Sequence, residues 1–380
     1  MIDIENTKLV IKFRNIFADS SVLLKIREYE NIRGRKVFWL TSLAILIVGL
    51  LLQIIVAGIF NKPGSHLFAS DIYYIWVEGV KLAHHQDPYK RILQGNIEIN
   101  AKYPTYLPFY YIFVALVVDL GYGSFTTWIY VIRIFSMIFF FLITFNIFLI
   151  FYTKSYSLSI FAVLFWMLNR WTLYILYTVS VDFAPLFFLI LSLQQFEERP
   201  NLSLFLFGTS ILMKHMAIIL TPLYLLMIAR KSNGKISKIQ QLFCKDVMIA
   251  SIKVAIIPFL ISLPFLIWSP WGFIYSIAFS LTRLPESSFQ SSSLDAYISP
   301  DRIAIMGVLL KIPILLMIFV VLIVTNRGHI SMKISAFLIM TVFLDFNAVL
   351  FDQYMVWNVP LMLFAVLEFI EKLKSTNNEV

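Results

Sequence analysis

TWIYVIRIFSMIFFFLITFNIFLIFY, at residues 127–152, is the stretch that decides the fold of this chain. It carries one charged residue, Arg133, in an otherwise apolar sequence. Because about 20 consecutive apolar residues are enough to cross a bilayer as a helix, the stretch predicts a transmembrane span. Its many phenylalanines are typical of positions that face lipid or neighbouring helices, and they indicate no function.

Similar apolar runs recur on both sides of this stretch. Of the 380 residues, 59% are hydrophobic and 14% are charged, whereas soluble domains carry roughly 25% charged residues. The predicted fold class is therefore all-α, a polytopic transmembrane helix bundle of about ten spans. The fourth span is short, which leaves open that it joins the fifth as broken or re-entrant helices. The spans are predicted near residues 38–60, 104–120, 127–152, 156–169, 172–195, 202–229, 247–268, 302–324, 331–349 and 354–371.

Basic residues gather at the predicted ends of spans. The formal charge of +9 could indicate nucleic acid, but the lysines and arginines concentrate at Arg33–Lys36 and in the loops 230–246 and 325–330. The positive-inside bias assigns such loops to the cytoplasm. We therefore expect this charge to set the topology and to contact anionic headgroups, with no nucleic acid as partner. The one cysteine, Cys244, allows no internal disulfide.

This assignment predicts a multi-pass protein of the cell membrane with both termini in the cytoplasm. An amphipathic segment at 1–36 precedes the transmembrane domain at 37–371, and a short tail follows at 372–380. Two long loops, 61–103 and 269–301, then lie outside the membrane on its outer face. Since the cytoplasmic loops are short, we expect the functional site on the outer face.

Each outer loop contains a predicted amphipathic helix. In the first, apolar residues recur with helical spacing after SDIYYIW at 70–76, and SPWGFIYSIAFSL at 269–281 is similar. We expect both helices to lie flat on the outer leaflet and to frame a groove. The apolar side of the first helix comprises Ile72, Ile75, Trp76, Gly79, Val80 and Ala83. Its polar side comprises Asp71, Tyr74, Glu78 and Lys81.

The first outer loop also holds candidates for chemistry. Asp71 begins the amphipathic helix, where a carboxylate caps the helix and suits its dipole, or serves as a general base for an acceptor hydroxyl. Asp87-Pro88-Tyr89 is typical of a turn. Tyr103-Pro104 starts the second predicted span, where Tyr103 is placed to meet a sugar or a headgroup.

Charged residues within apolar segments are functional candidates because burying them in a membrane is costly. Lys214 has three readings that the sequence leaves open: it binds a phosphate, pairs with Asp182, or extends towards the interface. Asp352, with Gln353 and Tyr354, either orients a substrate or caps the last span. The four charged residues at or near membrane depth are Arg133, Asp182, Lys214 and Asp352.

Nucleotide and metal motifs are absent from the sequence. It contains no Walker A motif, no GxGxxG and no HExxH. The adjacent His84 and His85 would point about 100° apart on a helix and make a poor metal pair. An enzyme that works outside the membrane without nucleotide would need an activated substrate carried by a lipid.

Several short motifs together resemble the glycosyltransferase-C superfamily, and most of all the polyprenyl-phosphate-mannose-dependent mannosyltransferases of glycosyltransferase family 87. The similarity runs from about residue 37 to 371. Three elements depart from the pattern: Gln86 replaces a glycine before DPY, YPT replaces YPP, and both histidines of the late motif are replaced. The matching elements are Asp71, the helix Ile72–Ala83, Gln86–Tyr89, Tyr103-Pro104, Val181-Asp182, Gly208 with Lys214 and the displaced Pro222, Ser291–Leu294, and Asp352, Gln353, Tyr354 with Trp357.

The resemblance implies an inverting transfer of a hexose, with mannose favoured, from a polyprenyl-phosphate donor to a lipid or glycan acceptor. Asp71 would be the general base, and Lys214 and Arg283 would bind the donor phosphate. No cofactor is implied, although some members of the superfamily use a divalent metal. The residues implied in substrate binding are Asp87, Tyr89, Tyr103, Asp182, Asp352, Gln353 and Tyr354.

Two other functions share these features. A transporter or flippase of lipid-linked sugars would have similar spans and charges, but it predicts internal repeats, which the sequence does not show. A polysaccharide polymerase or ligase would favour many arginines in the outer loops, where only Arg91 and Arg283 occur.

Overall fold

The computed structural model describes residues 29, 31–32, 34–56, 58, 71–94, 105–282, 311–346 and 352–377. The regular elements in these ranges are all helical, as predicted from the composition. Tyr103, Arg283, the Ser291–Leu294 motif and most of segment 1–36 lie outside the described residues. The α-helices are α1 (Arg35–Ile55), α2 (Asp71–Ala83), α3 (Phe109–Asp119), α4 (Phe125–Tyr152), α5 (Tyr156–Leu168), α6 (Arg170–Thr178), α7 (Phe183–Gln195), α8 (Pro200–Met213), α9 (Thr221–Asn233), α10 (Lys245–Trp268), α11 (Pro270–Thr282), α12 (Lys311–Asn326), α13 (Met332–Phe346) and α14 (Asn358–Asn377).

Within the described part of the chain, four helical segments are long and apolar enough to cross a membrane. They are α1, α4, α10 and the segment Asp352–Glu371, which joins a 3-10 turn to most of α14. The pair α5 and α6, bent by 45°, has the composition of a fifth, as one broken span or as a re-entrant loop. The predicted number of about ten spans is therefore not confirmed. The bend lies where the sequence left open a broken helix.

The span predicted at 104–120 is instead a helix of 11 residues, α3, that lies beside α2. Before α3, the Tyr106 hydroxyl reaches Asp71 at the start of α2. After α3, the Trp76 indole donates to the Gly123 carbonyl at 3.2 Å. Since both flanks of α3 contact a single short helix, α3 runs alongside α2. A helix of this length extends only about 16 Å, which is too short to cross a bilayer.

Glycine allows α2 and α3 to approach closely. A Cβ atom on Gly79 would lie 2.3 Å from the Cβ of Val114, so a larger side chain would separate the two helices. The helix predicted from the apolar spacing at 71–83 is present, but one part of its predicted polar side is wrong. Glu78 is 0% exposed, because it turns inward to Arg91 and Lys81 rather than towards solvent.

Two further predicted spans are divided by breaks. Residues 172–195 contain most of α6 and all of α7, separated by Val179–Asp182, where Val179 has a left-handed φ of 55°. Residues 202–229 contain most of α8 and α9, which are joined by a 3-10 turn, His215–Leu220. Lys214 stands between α8 and that turn in extended conformation. Both breaks fall in apolar sequence, which is why hydropathy alone did not locate them.

The basic loops lie at one end of the helix bundle. Phe38 at the start of α1 packs against Tyr152 at the end of α4, with ring centroids 5.7 Å apart. Lys154 pairs with Glu371 of α14 at 2.6 Å, and Asn326 donates to the carbonyl of Ile236 at 2.7 Å. We call this the basic end, and we call the opposite end, where α2 covers the start of α4, the Asp71 end. The start of α1 and the C-terminal part of α14 therefore both lie at the basic end.

Candidate functional site

Asp71 is the first residue of α2, and side chains from distant parts of the chain bind its carboxylate. The Tyr106 hydroxyl donates to Oδ2 at 3.2 Å. The Gln353 amide donates to the same oxygen at 3.0 Å. The side chain is half-buried. Its place at the N-terminus of a helix suits a negative charge, but the two donors show that tertiary contacts also hold the carboxylate.

The Asp87-Pro88-Tyr89 turn holds the chain segment that carries Tyr106 through a hydrogen bond. The Asp87 carboxylate accepts from the Tyr89 backbone N–H at 2.8 Å, which is the turn predicted for this sequence. The Tyr89 hydroxyl donates to the Tyr106 carbonyl at 2.9 Å. Tyr89 is fully buried, and burial, with smaller contributions from Tyr111, Asp87 and Glu78, raises its pKa well above the usual value. It therefore stays protonated and keeps donating.

A second carboxylate, Asp182, lies at the break between α6 and α7. It is 0% exposed and pairs with Lys214, whose ammonium lies 2.5 Å from Oδ1 and is 3% exposed. Of the three readings that the sequence left open for Lys214, the structure shows the pairing with Asp182. Asp182 precedes the N-terminus of α7 and Lys214 follows the C-terminus of α8. Each charge thus has the sign that the neighbouring helix dipole favours.

Two neutral donors complete the surroundings of Asp182. The Trp357 indole donates to Oδ1 at 2.7 Å, and the Ser180 hydroxyl donates to Oδ2 at 2.5 Å. A buried ion pair is stabilised only when its remaining hydrogen-bonding capacity is met. Asp182 meets that condition, and its contacts are those of a counter-ion to Lys214. Its predicted contact with substrate stays a prediction.

The 3-10 turn Asp352–Trp357 contacts both carboxylate groups. Gln353 binds Asp71, and the next residue, Tyr354, presents its ring 4.7 Å from the Lys214 ammonium. Trp357, further along the turn, binds Asp182. Asp352 itself is exposed. The turn therefore brings Asp71 and the Asp182–Lys214 pair, predicted separately from the sequence, into one site.

A buried cluster around Glu78 anchors the helix that carries Asp71. The Glu78 carboxylate lies 2.9 Å from the Lys81 ammonium and 3.1 Å from the Arg91 guanidinium. Arg91 belongs to the 3-10 turn Lys90–Leu93, so this ion pair ties α2 to the segment after it. Gly272 of α11 lies close to the Tyr89 carbonyl in the same region. The predicted helix at 269–281 is present as α11 and packs there.

Sequence reasoning missed four residues of this site, and it matched a fifth, Trp357, only as part of a family motif without giving it a role. Tyr106 lies in an aromatic-rich segment, and nothing in its spacing marks it as a hydrogen-bond donor. Ser180 is a small polar residue at a break that hydropathy did not reveal. Glu78 and Arg91 lie 13 positions apart, and only the turn between them brings them together. A search for polar residues beside helix-breaking positions would have found Ser180.

The described residues contain no group of three or more His, Cys, Asp or Glu side chains placed to hold a metal ion. Comparison of the chain with protein-family models, with curated proteins and with solved structures finds no match. The similarity to glycosyltransferase family 87 therefore rests on the sequence motifs alone.

Proposed function

We propose that this protein is an integral membrane glycosyltransferase. It moves a hexose, with mannose as the first candidate, from a polyprenyl-phosphate sugar to a lipid or glycan acceptor at the outer face of the cell membrane. The observation that carries the proposal is the turn at Asp352–Trp357. Its consecutive residues Gln353 and Tyr354 contact a carboxylate, Asp71, and a buried cation, Lys214. A base and a cation contacted by consecutive residues of one turn match the two charges that such a transfer must handle.

In the proposed reaction, Asp71 removes the proton from the acceptor hydroxyl. The acceptor oxygen forms a bond to the anomeric carbon of the donor while the bond from that carbon to the phosphate oxygen breaks. The electron pair leaves with the lipid phosphate, and attack from the opposite face inverts the anomeric configuration. Tyr106 and Gln353 both donate to the Asp71 carboxylate, and these two bonds fix its orientation.

Lys214 is proposed to stabilise the departing phosphate, because a fixed cation in a water-poor site lowers the cost of developing negative charge. An ammonium has three donors, and the bond to Asp182 uses one of them. Arg283 is proposed as a second phosphate ligand. Tyr103, Asp352, Gln353 and Tyr354 would then hold sugar hydroxyls, and Asp87 and Tyr89 act through the turn that positions Tyr106.

The proposal is tested by sugar transfer in membranes that contain the protein and radiolabelled polyprenyl-phosphate mannose. We expect transfer to depend on Asp71, so Asp71→Asn should lower it about 10²- to 10⁴-fold while the protein remains folded. Asp119→Asn is the matched control, since Asp119 is an exposed carboxylate at the end of α3. A screen of other lipid-phosphate sugars identifies the donor if mannose is not transferred. No transfer from any donor would reject the enzyme.

One structural observation favours a second candidate, a transporter of lipid-linked sugars. Transporters commonly hold charged residues at breaks in membrane helices, and here two breaks meet at Asp182 and Lys214. The two functions differ in product. A transporter in liposomes would expose labelled lipid-linked sugar to a reagent on the opposite side without forming a new glycosidic bond, and it would keep this activity in Asp71→Asn.

A further inference from the structure

A cavity of about 290 Å³ lies at the basic end of the bundle, far from Asp71. It is formed where the start of α8, the end of α9 and the start of α10 meet. Its volume is near the lower limit of pockets that hold small ligands. The residues used below are Asn201, Leu204, Lys231, Asp246, Ile249 and Lys253.

The polar side of the cavity favours an anion. The Lys253 ammonium donates to the Asn201 side chain at 2.7 Å, and the Lys231 ammonium donates to the Glu197 carbonyl at 3.0 Å. Both lysines line the cavity, and each ammonium has three donors, of which these bonds use one. The first turn of α8, which begins at Pro200, adds the positive end of a 14-residue helix. Asp246 opposes them with one negative charge and accepts from Ser232 at 2.7 Å.

The other side of the cavity is apolar and opens beside a surface suited to lipid. Leu204 and Ile249 line it. On the adjoining face of α10, Met248 and Ile252 are each 62% exposed. α10 is long and apolar enough to cross a membrane from Lys245 onward. A span that begins there would place its first turns at the depth of the headgroups, where exposed apolar side chains would contact acyl chains rather than water.

We propose that this cavity binds the headgroup of an anionic phospholipid. The lipid phosphate would lie between Lys231 and Lys253, and the acyl chains would lie along Met248 and Ile252. Basic pockets between membrane helices suit lipid phosphates because the charge and the apolar surface act together. The site is separate from the Asp71 site, so it does not depend on the proposed glycosyl transfer.

The test is native mass spectrometry of the purified full-length protein, titrated with phosphatidylglycerol or with phosphatidylcholine of the same chain length. Phosphatidylglycerol should bind more tightly than phosphatidylcholine. The double variant Lys231→Gln with Lys253→Gln should weaken phosphatidylglycerol binding about 30-fold, from about five-fold per lysine. Asp246→Asn should strengthen it about five-fold, because it removes the opposing charge. A gain of binding cannot result from misfolding.

The matched control is Lys235→Gln with Lys238→Gln, which removes the same charge from exposed lysines of the neighbouring loop and should leave binding unchanged. Equal binding of the two lipids, or an equal loss in both double variants, would reject the proposal. Competition with inorganic phosphate separates a lipid site from a general phosphate site. If inorganic phosphate displaces phosphatidylglycerol at equal concentration, the acyl chains contribute nothing and the lipid assignment is wrong.

Discussion

Asp71 and Asp182 are two carboxylates that contact the same turn, yet their surroundings differ. Asp71 is half-buried and accepts from a tyrosine hydroxyl and a glutamine amide, both uncharged. Asp182 is fully buried, paired with Lys214, and also bound by Trp357 and Ser180. A half-buried carboxylate can accept a proton from a bound hydroxyl during a reaction. A carboxylate that neutralises a buried cation cannot be protonated without leaving that cation unpaired.

The comparison therefore separates a candidate base, Asp71, from a counter-ion, Asp182. We expect substitution of Asp71 to change activity with little change in stability, and substitution of Asp182 to change stability first. The four predictions that follow test this separation by sugar transfer, by thermal unfolding, or by both.

The largest effect is expected for Asp71→Asn, an isosteric change that removes the base. Transfer of labelled sugar should fall about 10²- to 10⁴-fold, the usual contribution of a general base. The apparent Tm should stay close to that of the unmodified protein, since an amide still accepts from Tyr106 and Gln353. Near-normal transfer by a folded Asp71→Asn protein would show that Asp71 is not the base and only caps the start of α2.

Asp182→Asn should destabilise the protein by about 3–5 kcal/mol, because it leaves the buried Lys214 ammonium without a counter-charge. The measurement is thermal unfolding of the purified protein in detergent. The double variant Asp182→Asn with Lys214→Met should recover much of this stability and remain inactive, if Lys214 also binds phosphate. A double variant that regains both stability and transfer would contradict the phosphate role.

The sequence identified the charged residues of the site, but it did not show which side chains surround them. Charge in apolar segments marked Asp182 and Lys214 because such residues are costly in a membrane, and the structure pairs them. The helical spacing of apolar residues predicted α2 correctly, but it placed Glu78 on a polar face. Periodicity within the helix cannot show that Arg91, which lies after the helix, forms an ion pair with Glu78. The span predicted at 104–120 failed for a similar reason. Tyr106 and Trp76 connect both flanks of α3 to α2, and hydropathy does not encode that contact.

A smaller effect is expected for Gln353→Glu, which places a second carboxylate beside Asp71. Like charges raise the pKa of one member of such a pair, so Asp71 would remain protonated to higher pH. The acidic limb of the pH–activity profile should then move upward by about one pH unit, equivalent to about 1.4 kcal/mol. Gln94→Glu, at an exposed residue, is the control for added charge. An unchanged profile would show that Gln353 does not contact the base during the reaction.

The smallest effect is expected for Tyr89→Phe. This change removes the hydroxyl that donates to the Tyr106 carbonyl and leaves that carbonyl short of one partner. The expected cost is about 1 kcal/mol of stability. Because the segment that carries Tyr106 would be less restrained, transfer should fall a few-fold. Tyr122→Phe is the matched control, since Tyr122 is 60% exposed. A full loss of transfer with unchanged Tm would instead make Tyr89 a direct substrate contact, and the turn at Asp87 would then belong to the binding site itself.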